Sequence, residues 1–193
     1  MKLSSFIIGS IAAQGPAYRY VRESTRKTKY NPIKFSSNPA ADLRDGSTID
    51  GPDSRCNQGA FSSAGRTSVL TVNAGDEIRL CLATGGNFGH PGPSLVYLSR
   101  APNNNVRGYD GSGDWFKISY QGVCNQGGDM KTNAWCSSGK NYVAARVPRN
   151  TPNGEDLARF EHIEPWSHDG YAKFSIYGNN KNFPMPGPSV WSG

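Results

Sequence analysis

The sequence predicts an all-β fold of two packed sheets, and three observations carry that expectation. Gly 23 and Pro 13 in 193 residues exceed what long helices tolerate. No stretch keeps an apolar repeat at helical spacing for three turns. Several short segments instead alternate apolar and polar residues between turn signals, at the spacing of a two-sheet sandwich. The length fits one domain, and 36% hydrophobic residues suffice for a buried core.

The elements follow in chain order. Lys2 supplies a charged flank, Leu3 to Ala13 an apolar run, and Ser10, Ala12 and Ala13 the small residues a signal peptidase accepts. This predicts an export signal over 1–14, with 15–193 as one domain. A first buried strand is the other reading of the same run, and the ending Ala12-Ala13-Gln14-Gly15 favours the signal. The run is too short to span a bilayer. Residues 14–66 are loop-rich, with Asn31-Pro32, Asn38-Pro39, Asp45-Gly46 and Gly51-Pro52 as turn signals.

Strands are expected over Thr67–Val72 and Glu77–Leu82, joined by the turn Asn73-Ala74-Gly75-Asp76. In the second, Ile78, Leu80 and Leu82 share one face, because side chains alternate along a strand. Further strands are expected over Ser94–Ser99, from Asp114 to Tyr120, over Tyr142–Val147, over Leu157–Ile163 and over Tyr171–Tyr177. In the last, Ala172, Phe174 and Ile176 form the apolar face.

Net charge is +6, and Arg19, Arg22, Arg26, Lys27, Lys29 and Lys34 cluster with only Glu23 against them. Without a recognition fold this run reads as a solvated segment, so no nucleic-acid partner is expected. Cys56, Cys81, Cys124 and Cys136 agree with an oxidising compartment, and their spacing excludes C-x-x-C zinc or thiol chemistry. Cys124 and Cys136 bracket a Gly-rich loop that a disulfide could close. Connectivity is otherwise open.

The sequence becomes specific at His90-Pro91-Gly92-Pro93. It continues through Val96-Tyr97-Leu98-Ser99-Arg100-Ala101-Pro102, Asp110-Gly111-Ser112-Gly113 and Trp115-Phe116-Lys117-Ile118. This order resembles the auxiliary activity family 9 lytic polysaccharide monooxygenases. Tyr20-Val21-Arg22, Arg55-Cys56-Asn57, Val72-Asn73-Ala74-Gly75-Asp76, Arg159-Phe160-Glu161-His162-Ile163, Ala172-Lys173-Phe174 and Pro186-Gly187-Pro188 extend it over residues 18 to 191. Tyr109 and the Asp110–Gly113 stretch read as a turn, and Trp115 and Phe116 as core.

The resemblance implies an immunoglobulin-like antiparallel β-sandwich with long loops and one flat face. On that face the family holds one copper ion in a brace made by the amino group and imidazole of an N-terminal His plus a second His. Three nitrogens in a near-planar arrangement suit Cu(II). Reduced copper activates oxygen or peroxide for hydrogen removal from a glycosidic carbon of cellulose or a related β-glucan. The resemblance thus implies a secreted monomer that meets a cellulose or β-glucan surface and an external electron donor, with no membrane partner.

His90 falls on the family's internal copper ligand. No His precedes it in this sequence. Cleavage after Ala12, Ala13 or Gln14 would expose Ala, Gln or Gly, so the copper site is expected to be incomplete. Lys173 stands at the family's second-shell Gln, and Ser175 at the Tyr axial to copper. Lys173 brings a positive charge towards a cation, and Ser175 is too short for an axial position. His168 is either a displaced equivalent of the family's second-shell His or a surface-loop His. His162 reads as structural. Gly178 stands where the family has a Cys bonded to the counterpart of Cys56, so Cys56 either pairs with Cys81 or stays free.

Overall fold

A computed structural model of the chain describes residues 3–10, 18–22, 25–26, 55, 61–67, 69–82, 86–162, 176–183, 185 and 187–193. Its strands are β1 (Leu3–Ser10), β2 (Tyr18–Arg22), β3 (Thr25–Arg26), β4 (Leu70–Asn73), β5 (Glu77–Leu82), β6 (Ser94–Arg100), β7 (Phe116–Gln121), β8 (Tyr142–Arg146) and β9 (Gly154–His162). They form a five-stranded sheet, β4-β1-β9-β6-β7, and a four-stranded sheet, β3-β2-β5-β8. The described pairs are antiparallel except β1 with β9. Among the described residues, no helix is long and apolar enough to cross a membrane.

The alternation in β5 explains how the sheets meet. Ile78 and Leu80 are fully buried, while Glu77 and Arg79 share the other face and pair at 2.6 Å. Val143 and Ala145 of β8 join the same cluster. From the other sheet come Val72 of β4, Val96 and Leu98 of β6, Ile118 of β7, and Ala158 and Phe160 of β9. The main core therefore lies between the two sheets, as in an immunoglobulin-like β-sandwich. The β4–β5 turn uses Gly75 at φ +97°, a left-handed position that suits glycine. Asp76 accepts from the Asn73 N–H at 2.8 Å and closes it.

Two smaller clusters pack at the margins. Ala101, Val106, Tyr109 and Leu157 form one, with Trp115 against it. Met130, Ala134 and Trp135, inside the loop that the Cys124–Cys136 disulfide closes, form the other with Ile176. The C-terminal segment returns to the β7 edge, where the Trp191 N–H donates to the Lys117 carbonyl at 2.7 Å. That covers part of an edge that would otherwise present unpaired backbone groups.

The largest departure from the sequence reading is at the N-terminus. Leu3–Ser10, read above as part of an export signal, is a strand hydrogen-bonded to β4 on one side and β9 on the other. A short apolar run suits a signal or a buried strand equally, and here the two neighbours supply ladder partners. Tyr18–Arg22, inside the expected loop-rich stretch, pairs with β5. The strand expected from Thr67 begins only at Leu70, after a 3-10 turn over Phe61–Arg66. Most of the expected last strand lies outside the described residues. Of its final two residues, Ile176 is buried at a bend and Tyr177 is 77% exposed in a turn.

Candidate functional site

The loop over residues 86–93 leads into β6 and carries His90. The His90 side chain is exposed, whereas Pro91, Gly92, Pro93 and Ser94 behind it are buried. Phe88 fastens the other side of the loop by donating its backbone N–H to the Lys140 carbonyl at 2.8 Å.

Beneath His90 lies a second imidazole. Ser94 and His162 are cross-strand partners in the β6–β9 pair, so their side chains share a face at one end of the sheet. His162 Nδ1 is 3.0 Å from Ser94 Oγ, and its Nε2 is 2.9 Å from the His90 carbonyl oxygen. A carbonyl only accepts, so Nε2 carries the proton and donates. In the neutral ring Nδ1 then accepts from the Ser94 hydroxyl. Phe88 packs against this imidazole with ring centroids 5.2 Å apart. Burial pushes the His162 pKa down to about 4, with the hydrogen bond to His90 opposing the shift. His162 is therefore neutral near pH 7, and both its nitrogens are engaged.

Lys117 on β7 is fully buried, with its ammonium 5.8 Å from the Tyr97 ring centroid. Burial lowers its pKa, and the charge of Glu161 works the other way. At the far end of β6, Arg100 Nε pairs with the fully buried Asp156 at 3.0 Å. Its other nitrogens donate to the Asn153 and Pro152 carbonyls at 2.9 Å each.

The Asp110–Gly113 stretch is structural, as expected from sequence. Tyr109 Oη sits 2.6 Å from Ser99 Oγ and accepts from the Gly113 N–H at 2.8 Å. Trp115 Nε1 donates to the Gly111 carbonyl at 2.8 Å, and its ring packs on the Tyr109 cluster rather than standing out as a platform. Arg55 pairs with Asp110 at 2.9 Å. Hydrogen bonds from Ser112 hold the Asp110 carboxyl below its usual pKa, assisted by Arg55.

Of the residues singled out from sequence, His90 is described, and it is exposed on its loop. His168, Lys173 and Ser175 lie outside the described residues, as does Cys56, so its pairing with Cys81 is not described. The contact of His162 with the His90 loop was not foreseen. It joins positions 72 residues apart in sequence, and only the strand register brings them together. Among the described residues no three His, Cys, Asp or Glu side chains are grouped to hold a metal ion. His90 offers one exposed imidazole, and His162 is turned inward with its lone pair used. The described donors do not by themselves fit the three-nitrogen copper centre that the resemblance implies.

The comparisons with known proteins agree with this scaffold. Residues 4–175 match the sequence model of Auxiliary Activity family 9 (formerly GH61), a match that includes nearly all of β1. An AA9 family lytic polysaccharide monooxygenase D from Aspergillus tamarii is 41% identical, across 91% of this chain and 75% of its own length. An AA9 family lytic polysaccharide monooxygenase A from Aspergillus fumigatus is 38% identical, across 90% and 71%. The first alignment runs over 212 positions against 193 residues here, so that relative carries residues within the matched span that this chain lacks.

Solved structures give the same fold. The extended catalytic domain of H. jecorina LPMO9A superposes with a TM-score of 0.55 at 21% identity, covering 82% of each chain. A cellulose-active polysaccharide monooxygenase from M. thermophila superposes with a TM-score of 0.52 at 20% identity, covering 75% of this chain and 82% of that one. With the two-sheet architecture, the exposed His90 beside β6 and a family match over most of its length, the chain belongs to Auxiliary Activity family 9, the lytic polysaccharide monooxygenases.

Proposed function

We propose that this chain is an exported monooxygenase-type protein of the cellulose or β-1,4-glucan surface whose copper site is incomplete. The carrying observation is the fate of the two described imidazoles. His90 is exposed and stands at the position the resemblance gives to the internal copper ligand. His162 is buried with both nitrogens engaged and has no lone pair left for a metal. One imidazole is a weak copper site. Lys173 and Ser175, at the family's Gln and axial Tyr positions, extend the same reading, with His168 as the candidate for the displaced second-shell His.

An exported monomer served by an external electron donor completes the proposal. The Cys124–Cys136 disulfide supports an oxidising compartment. Because β1 is built into the sheet, residues 3–10 stay with the folded domain in this reading. The runner-up is a non-catalytic secreted relative that binds carbohydrate or copper, favoured by the positive charge of Lys173 beside the expected metal position.

Copper titration of the exported protein, followed by electron paramagnetic resonance, tests the proposal. Weak binding, a signal without three nitrogen ligands, and no oxidised cello-oligosaccharides on adding reductant are expected. A tight three-nitrogen centre with oxidised products would overturn the incomplete site. Retention on cellulose without oxidation would favour the binding relative.

A further inference from the structure

The contact under His90 does more than fill space. We propose that His162 is a positioning residue for His90, set in one tautomer by its bond to the His90 carbonyl, seated at Nδ1 by Ser94, and pinning that carbonyl so that the imidazole is presented outward. Ser94 and His162 are fixed by the β6–β9 ladder, independently of the loop. The bond from Nε2 reaches the backbone of the residue whose side chain is exposed, at 2.9 Å. On one side of that residue, Phe88 is tied to Lys140 and packs on the His162 ring. On the other, Pro91, Gly92 and Pro93 are buried. His90 is therefore held through its own carbonyl and through both flanks, while its ring stays accessible. The bearing of this clamp on copper rests on the proposed function. The clamp itself does not.

Long-range proton–nitrogen NMR of the full, nitrogen-15-labelled chain near pH 7 reads the tautomer directly. The expected His162 signature is a neutral ring with Nε2 protonated and Nδ1 bare. The opposite tautomer, or rapid exchange between the two, overturns the proposal. His162→Phe keeps the ring against Phe88 and removes both bonds. His162→Gln restores a donor. Amide exchange at Gly89, His90 and Gly92 is expected to accelerate about tenfold in H162F, the scale of one lost hydrogen bond, and to recover in H162Q. Exchange at Ile78 and Leu80 reports global stability. Unchanged loop exchange in H162F, or acceleration matched at Ile78 and Leu80 and not rescued by Gln, overturns positioning. If H162F does not fold, the wild-type tautomer and Ser94→Ala, in which Nε2 should stay protonated against the His90 carbonyl, still decide. Cupric ion added to the wild type separates the two ideas. Perturbed His90 resonances with an intact His162 tautomer support both. Silent His90 resonances beside an intact His162 tautomer sink the copper reading and leave the clamp.

Discussion

Asp156 gives the sharpest test of the energetics. Its carboxylate is fully buried at the end of β9, and burial raises its pKa from 3.8 to about 6 despite the opposing charge of Arg100. The ion pair to Arg100 at 3.0 Å is not a well-aligned hydrogen bond, and neither carboxylate oxygen has another partner among the described residues. The folded state therefore holds a proton more tightly than the unfolded chain. Between pH 3.8 and about 6 the native form binds more protons, so this group's contribution to stability falls as pH rises. The shift of roughly two pKa units corresponds to about 3 kcal/mol. His162 acts with the opposite sign. Its pKa is lowered from 6.5 to about 4, so its contribution is present above 6.5 and is lost as pH falls through about 4. The two nearly cancel in the wild type. Asp156→Asn keeps the shape and leaves an amide oxygen for Arg100, but removes one partner of the cancellation. Urea unfolding of both proteins from pH 4 to pH 7 should show the wild type gaining about 3 kcal/mol on the variant at the acid end. A difference constant to within about 1 kcal/mol across that range would refute the assigned protonation.

Three further outcomes follow from packing and covalent structure. Replacing Cys124 and Cys136 by Ser should lower stability by about 2–3 kcal/mol, since the bridge closes a short loop around Trp135. Melting with and without reductant should show the loss for the wild type only. Leu98→Ala, at a fully buried position between the sheets, should cost about 2–5 kcal/mol in urea. Gly154→Ala would place a methyl on Arg100 Nη1 and should release the bonds to Pro152 and Asn153, at a cost of about 1–3 kcal/mol. In an Arg100→Ala background the same change should cost measurably less, which a double-mutant cycle reads.

Much of the sandwich was legible because its central strands alternate cleanly. β5 matches the expected Glu77–Leu82, and β6 and β8 differ from expectation by one residue. The segment of β1 carried two readings, export signal and first buried strand, because both draw on the same apolar residues. β2 was missed because Tyr18–Arg22 carries two arginines and no clean alternation. His90 was legible through the motif around it. The tie between His162 and His90 was not, since it depends on Ser94 facing His162 across two strands far apart in sequence. The burial of Lys117 beneath Tyr97 and the returning C-terminal segment had no signal in the sequence, where a lysine is ordinarily a surface residue.

The parallel neighbour of β1 also sets an order of events. Its antiparallel partner β4 leaves the ribosome after about seventy residues, but β9 is complete only at His162. Until then Leu3–Ser10 has a vacant ladder on one side, and so do the strands that will flank it. Contacts of such long sequence separation close slowly, and an apolar strand waiting for its partner invites pairing with another chain. Production of this protein should therefore be limited by how long β1 must wait for β9, more than by the stability of the finished sandwich.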